Sequence, residues 1–316
     1  MALKSLMFLG ENQEMLNPRD MGALVEAALI AEEAGIDGVA LGGHVAMGSL
    51  AQAAGPKFNP REFDGMGNQN PANSHPSAMV MLGAVAAQTT RIGIHACAIL
   101  PVLAHPLQVA KDLATLDLLS KGRLVVWPTV SWQEQEYIAL DKSFNKRGKM
   151  LDEQLAIWRE AWAKSPASYE GEFYKFEDVF IEPKPCRPEG PPIWITGDKL
   201  HAPALRRLAK YGSGISPINP LSADDHARIK EAFEAVGRDP SGLAFPGGLW
   251  AGFDTPDGLA DLEQAFGRMA SMAKAGTTHF LFKPSQFVNR LDELSGLCGR
   301  IVARLKEETS RLEGSR

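Results

Sequence analysis

Short apolar runs alternate strictly with amphipathic stretches along the 316 residues, eight of each kind, and on that alternation the sequence predicts an α/β fold, a (β/α)8 TIM barrel. Three observations carry this. The apolar runs are short, as strands buried on both faces are. The stretches between them repeat apolar residues at helical spacing. The chain is also long enough for one such barrel, which commonly takes about 250 residues. A doubly wound open sheet is the competing arrangement, and eight repeated units favour closure over it.

The first strand is Leu3 to Leu9. Met21, Leu24, Val25, Ala28 and Leu29 then mark a helix that Gly35 can end in the left-handed conformation. Gly38 to Leu41 is the second strand. A helix over Ser77 to Thr89 precedes a strand over Ile92 to Leu100. The helix Pro106 to Ser120, stopped by Gly122, precedes a strand over Leu124 to Val130. Lys146 to Lys164 is a long helix with Leu151, Leu155, Trp158 and Trp162 on one stripe. Pro192 to Thr196 is the fifth strand, Pro203 to Tyr211 a helix, and Gly214 to Pro217 the sixth strand. Ser222 and Asp225 form a capping box for the next helix, which Gly237 closes. Leu243 to Gly252 reads as a strand interrupted by Pro246, Gly247 and Gly248. Thr255 caps the following helix with Pro256 at its first position, and Gly276 ends it. His279 to Phe282 is the last strand, and Leu291, Leu294, Leu297, Ile301 and Leu305 line the last helix.

Residues 1–316 read as a single domain with insertions after strand 2 and before strand 5. The first, 45–76, is rich in Gly, Pro, Asn and Met and leaves the C-terminal end of a strand, which makes it a candidate lid over a barrel's active site. The second, 165–191, reads as extended pieces joined by Pro-rich turns.

A net charge of −5 without a basic run argues against a nucleic-acid partner. Cys97, Cys186 and Cys298 show no paired spacing, which fits a reducing cytoplasm, and no apolar stretch is long enough to span a membrane. Metal-ligand spacings, a P-loop and the GxGxxG fingerprint are missing, so no metal is expected and a small-molecule substrate is.

Several strand ends carry chemistry. His44 directly follows strand two, where an imidazole can bond a cofactor or move a proton, or be satisfied by its own loop. Ala96, Cys97 and Ala98 are small residues that let a flat ring approach strand three; Cys97 has no local base to make it a nucleophile. Trp127-Pro128-Thr129-Val130-Ser131-Trp132 ends strand four with hydroxyls and flat walls. Thr196-Gly197-Asp198 leads into a helix whose N–H groups can hold a phosphate. Lys283, after strand eight, is either a second anion contact or, more plainly, a solvated lysine. His75, Trp132 and Trp250 are the substrate-binding candidates, and the tryptophans and methionines suggest an apolar, moderately large substrate.

The segments AEEAGIDGVALGGH, AAQTTRIGIHACAILPVLAHPLQVAKDLATLDLLSKGRL, FNKRGKMLDEQLAIWREAW, EGEFYKFEDVFIEPKPCRP, PPIWITG and RRLAKYGSG, in that order and spacing, resemble the luciferase-like monooxygenases. That family includes flavin-dependent monooxygenases and F420-dependent dehydrogenases and reductases. The resemblance implies a (β/α)8 barrel and F420 or FMN as cofactor, with the run of motifs closer to the F420 branch. It implies that His44 is the catalytic strand-two histidine beside the cofactor. It implies that Ala96 and Cys97 are the strand-three pair joined by a non-proline cis peptide behind the ring, and that Thr196 and Gly197 are the strand-five turn near the cofactor phosphate or its tail; Thr129 and Asp198 are cofactor-binding candidates from their own strand-end positions. A homodimer follows by the same analogy. Two departures stand out: WPTVSW replaces a glycine-rich segment at strand four, and Gly43 replaces the usual Asp before the histidine. Should Trp127 and Pro128 block the ring, the chain would be a non-catalytic flavin- or ligand-binding barrel.

Overall fold

Parallel pairing of short strands organises the chain, and the computed structural model describes residues 2–49, 71–197, 200–217, 221–254 and 258–314. Strands β1 (Lys4–Phe8), β2 (Gly38–Leu41), β3 (Gly93–Ile99) and β4 (Leu124–Pro128) lie side by side in chain order. The hairpin strands β5 (Ala167–Glu170) and β6 (Lys175–Val179) pair with each other antiparallel. β7 (Trp194–Gly197) pairs with β8 (Gly214–Pro217) in parallel. β9 (Pro246–Gly248) and β10 (His279–Phe282) complete a six-stranded parallel sheet in the order β4-β3-β2-β1-β10-β9. Single parallel bridges Val126↔Ile193 and Gly214↔Ala244 tie the β7–β8 pair to both edges of that sheet.

The helices are the crossovers that parallel strands require. They are α1 (Met21–Ala34), α2 (Ala78–Gln88), α3 (Pro106–Leu119), α4 (Glu134–Ala139), α5 (Arg147–Ala163), α6 (Ala202–Tyr211), α7 (Ala223–Glu234), α8 (Leu262–Lys274) and α9 (Leu294–Gly314). Expected stop signals act as they should: Gly35, Gly122, Gly237 and Gly276 all have positive φ. Ser222 and Asp225 form their reciprocal capping box at the start of α7.

Side chains alternate along each strand between two apolar clusters, as the two-residue period dictates. Met7, Val39, Leu41, Ile94, Ala96, Val126, Ile195, Phe280 and Phe282 join the large core beneath the helices. Leu6, Ala40, Cys97, Trp127 and Trp194, with Phe8, Val125 and Leu281, form a second cluster on the other face of the strands.

Three local expectations need correction. Pro246, Gly247 and Gly248 do not interrupt the ninth strand but are that strand, paired in register with His279, Phe280 and Leu281. A Cβ on Gly248 would fall 1.5 Å from Nε1 of Trp250, so the glycine leaves room for an indole folded back over its own strand. The helix expected from Pro256 begins instead at Leu262, where the Asp261 carboxylate accepts N–H bonds from Glu263 and Gln264; Thr255 and Pro256 lie outside the described residues. The short helix α4 has no counterpart in the sequence reading. Its buried Tyr137 donates to the Val130 carbonyl and anchors the helix to the chain leaving β4.

Between α5 and β7, the β5–β6 hairpin is docked by one carboxylate. Glu153 of α5 accepts from the backbone N–H groups of Glu172, Phe173 and Tyr174. No helix among the described residues is long and apolar enough to cross a membrane.

Candidate functional site

The chain leaves the C-terminal ends of β1, β2, β4 and β10 with a polar cluster, although the strands themselves are almost wholly apolar. His44 lies three residues beyond β2, and its side chain is only 10% exposed. Its Nδ1 donates to Oε2 of Glu136 at 3.0 Å. A carboxylate oxygen can only accept, so this bond fixes the proton on Nδ1 and leaves Nε2 as the acceptor nitrogen. Glu136, on α4, is fully buried. Its Oε1 accepts from the backbone N–H groups of Val45 (2.6 Å) and Ala46 (3.2 Å), and Ser131 Oγ donates weakly to Oε2 at 3.4 Å. Ser131 has φ +56°, a left-handed residue that turns the chain from β4 into α4.

Two further rings stand edge-on to His44: His75 with ring centroids 5.9 Å apart, and Trp132 at 6.0 Å. Trp132 remains 41% exposed, so one side of it faces open space. Nε2 of His75 is buried without a hydrogen-bond partner. Burial pushes the His75 imidazole below its ordinary range, against the opposing pull of Glu11 and Glu136. Lys283, after β10, is buried and bonded to Glu11 Oε2 at 3.0 Å. The expectation of a solvated Lys283 is therefore wrong: the ends of β1 and β10 are held together around it, with Asn12 Oδ1 accepting from the Ser285 N–H.

At the end of β3 the non-proline cis peptide joins Cys97 to Ala98, not Ala96 to Cys97. Ala96 points into the core beneath the helices, Cys97 points to the opposite face, and Ala98 is the first half-buried residue at the strand end. Burial raises the Cys97 thiol far above its usual range, so it is inert as a nucleophile. Gly42 packs directly against this peptide: a Cβ there would meet Ala98 N at 2.2 Å and Cys97 O at 2.3 Å.

The WPTVSW segment does not present Trp127 to the mouth. Its indole Nε1 donates to Nδ1 of His95 at 3.1 Å, one layer below its register partner Cys97. The ring packs against Trp194 at 4.7 Å, and Trp194 against His279 at 4.8 Å. Burial lowers His95 to about 3 and His279 to about 4, so both are neutral near pH 7. Pro128 is buried, and Thr196 Oγ1 approaches its carbonyl at 3.4 Å. Thr129 and Gly197 are half-buried at the ends of β4 and β7. Asp198 lies outside the described residues, as do 50–70 of the candidate lid.

His44, His75 and Trp132 thus come together as a group, while Trp250 folds over β9. Sequence reasoning missed Glu136 and Glu11. Glu136 sits in the run EQE, indistinguishable from a solvated helix face until α4 docks. A cavity of about 760 Å³ between α5, α6 and α7, lined by Leu205, Ala209 and Val236, contains none of these residues.

Comparison with known proteins identifies the family and the fold. Over 229 residues the chain is 30% identical to an uncharacterized protein of Mycobacterium tuberculosis, covering 72% of this chain and 75% of the relative. It is 26% identical over 290 residues to the F420-dependent glucose-6-phosphate dehydrogenase of Segniliparus rotundus, covering 89% and 78%. The crystal structure of monooxygenase RslO1 from Streptomyces bottropensis shares the fold, with a TM-score of 0.70 at 19% identity over 94% of this chain and 96% of that one. Residues 4–251 match the luciferase-like monooxygenase family, and the chain belongs to that family.

Proposed function

We propose that this chain is a two-electron oxidoreductase that uses F420 or FMN, with His44 as the group that accepts or donates the proton of the reaction. The observation that carries this reading is the bond from His44 Nδ1 to the buried Glu136 carboxylate, which leaves the Nε2 lone pair to take a proton. The strands close into a (β/α)8 barrel in this reading, the two single bridges completing the ring.

The residues at the strand ends fit a flat polar cofactor. Ala98 offers a small side chain beside Gly42, and Thr129 and Thr196 offer half-buried hydroxyls on neighbouring strands. Trp127 supports the same fit, since its indole leans away from the mouth toward His95. When bound, the cofactor supplies the two-electron transfer; the protein orients it and excludes water. The protein's own part is proton handling. His44 Nε2 takes a proton from a substrate hydroxyl, or returns one, while Glu136 stabilises the imidazolium that forms. Trp132 supplies an apolar wall for the substrate, with Trp250 as a further contact.

The similar proteins differ in reaction: one is an F420-dependent dehydrogenase and one is a monooxygenase. Equilibrium titration with F420 and FMN, each oxidised and reduced, tests the reading. Tight binding of F420 favours hydride transfer, and tight binding of reduced FMN favours oxygenation. Failure of both to bind overturns the assignment. The same proposal places the protein in the cytoplasm as a homodimer. Val80 on α2 and Leu118 and Leu119 on α3 are exposed on adjacent helices and would form the contact. Sedimentation of wild type against Val80→Asp checks it.

A further inference from the structure

His75 has a polar atom left over. Its Nε2 is buried and has no hydrogen-bond partner. Buried polar nitrogens are almost always paired, and an orphan one calls for an explanation. The ring stands edge-on to His44 with centroids 5.9 Å apart. Hydrogen bonds to oxygen span about 2.7–3.2 Å, so rings this close can share one small ligand group between them.

The charges around this position are already matched. Lys283 is bonded to Glu11, and His44 to Glu136. Two backbone N–H groups and Ser131 take up the rest of the Glu136 carboxylate. Burial keeps His75 itself a neutral imidazole at pH 7. Among the described residues, a substrate carboxylate or phosphate placed here would find Lys283 and His44 each already carrying an acid, and would lose its hydration on entering. A neutral oxygen meets no such cost.

We propose that His75 is a substrate-positioning residue that selects uncharged molecules bearing a carbonyl or hydroxyl oxygen, donating to that oxygen and, where it is a hydroxyl, holding it between itself and His44. The complementarity runs atom by atom. The Nε2–H of His75 donates to the oxygen lone pair in either case. The Nε2 lone pair of His44, whose proton is fixed on Nδ1, accepts the O–H of an alcohol. Trp132, edge-on to His44 at 6.0 Å and open on one side, covers the hydrocarbon part. This inference rests on the reading of His44 as the proton-carrying group, but it is indifferent to whether the chemistry is hydride transfer or oxygenation.

The test is binding, not turnover. Cyclohexanone, cyclohexanol and cyclohexanecarboxylate are titrated into the full chain, alone and with F420 or FMN, by calorimetry and tryptophan fluorescence. Wild type is expected to bind the ketone and the alcohol more tightly than the carboxylate. His75→Ala should weaken both neutral probes roughly tenfold, as loss of one hydrogen bond does. His75→Asn, which keeps a neutral donor, should recover most of that loss. Cofactor affinity and thermal midpoint should be unchanged in both variants. Equal binding by wild type and His75→Ala overturns the proposal, as does tighter binding of the carboxylate or no binding of either neutral probe. A chain that binds neither cofactor defeats the oxidoreductase reading alone, because the ketone-to-carboxylate ratio on the cofactor-free protein still decides the role of His75.

Discussion

Oε2 of Glu136 lies 3.0 Å from Nδ1 of His44, across 92 residues of chain, and this contact fixes the orientation of a strand-end histidine. Glu136 accepts from four donors in all, two of them backbone N–H groups. In Glu136→Gln the amide NH2 must face either His44 or the N–H groups of Val45 and Ala46, donor against donor. We expect kcat to fall roughly 100-fold or more with cofactor affinity little changed. The pH–rate profile should lose or shift the limb that belongs to His44. Full activity in Glu136→Gln would show that His44 needs no such partner.

Gly42 is in closest contact with the backbone of Cys97 and Ala98. A methyl group there cannot be accommodated by turning a side chain, since the atoms it meets are main chain. Gly42→Ala should cost about 1–3 kcal/mol or more in urea unfolding, with weakened F420 or FMN binding. Gly83 makes a control, because a Cβ there meets nothing within 4 Å. Gly83→Ala, on the same scale, should be neutral or mildly stabilising.

His95 and His279 set an acid limit on stability. Both are held neutral by burial, His95 at about 3 and His279 at about 4, from an ordinary 6.5. The unfolded chain therefore binds more protons than the folded one between these values. Their stabilising contribution is complete above pH 6.5 and is lost as pH falls toward 4 and 3. Between pH 6.5 and 5 fully buried His95 should cost on the order of 2 kcal/mol, and partly exposed His279 less. Urea midpoints across that range check the slope, and His95→Gln should flatten it.

Lys283 and Glu11 form a largely buried ion pair between the ends of β10 and β1. Removing one partner leaves the other charge buried. Lys283→Met and Glu11→Gln should each destabilise by about 3 kcal/mol. The double variant should lose less than the sum, the coupling appearing as non-additivity in thermal or urea unfolding. Strictly additive losses would mean that the two groups act independently.

The sequence by itself determined the order of most elements, α4 excepted, because strand and helix periods and their stop signals are local. Gly35, Gly122, Gly237 and Gly276 end helices through a backbone conformation that glycine adopts without steric cost. The Ser222–Asp225 box closes over three residues. His44 and the small residues of β3 were legible for the same reason, since a strand end in such a fold is a defined place. Only the tertiary structure decided the rest. Glu136 looks solvated until α4 docks on the exit of β4, and Lys283 looks solvated until β10 pairs with β1 and brings Glu11 beside it. Trp127 reads as a pocket wall until its indole finds His95 on the neighbouring strand. In each case the partner is distant in sequence, and burial and charge pairing exist only once the strands are side by side.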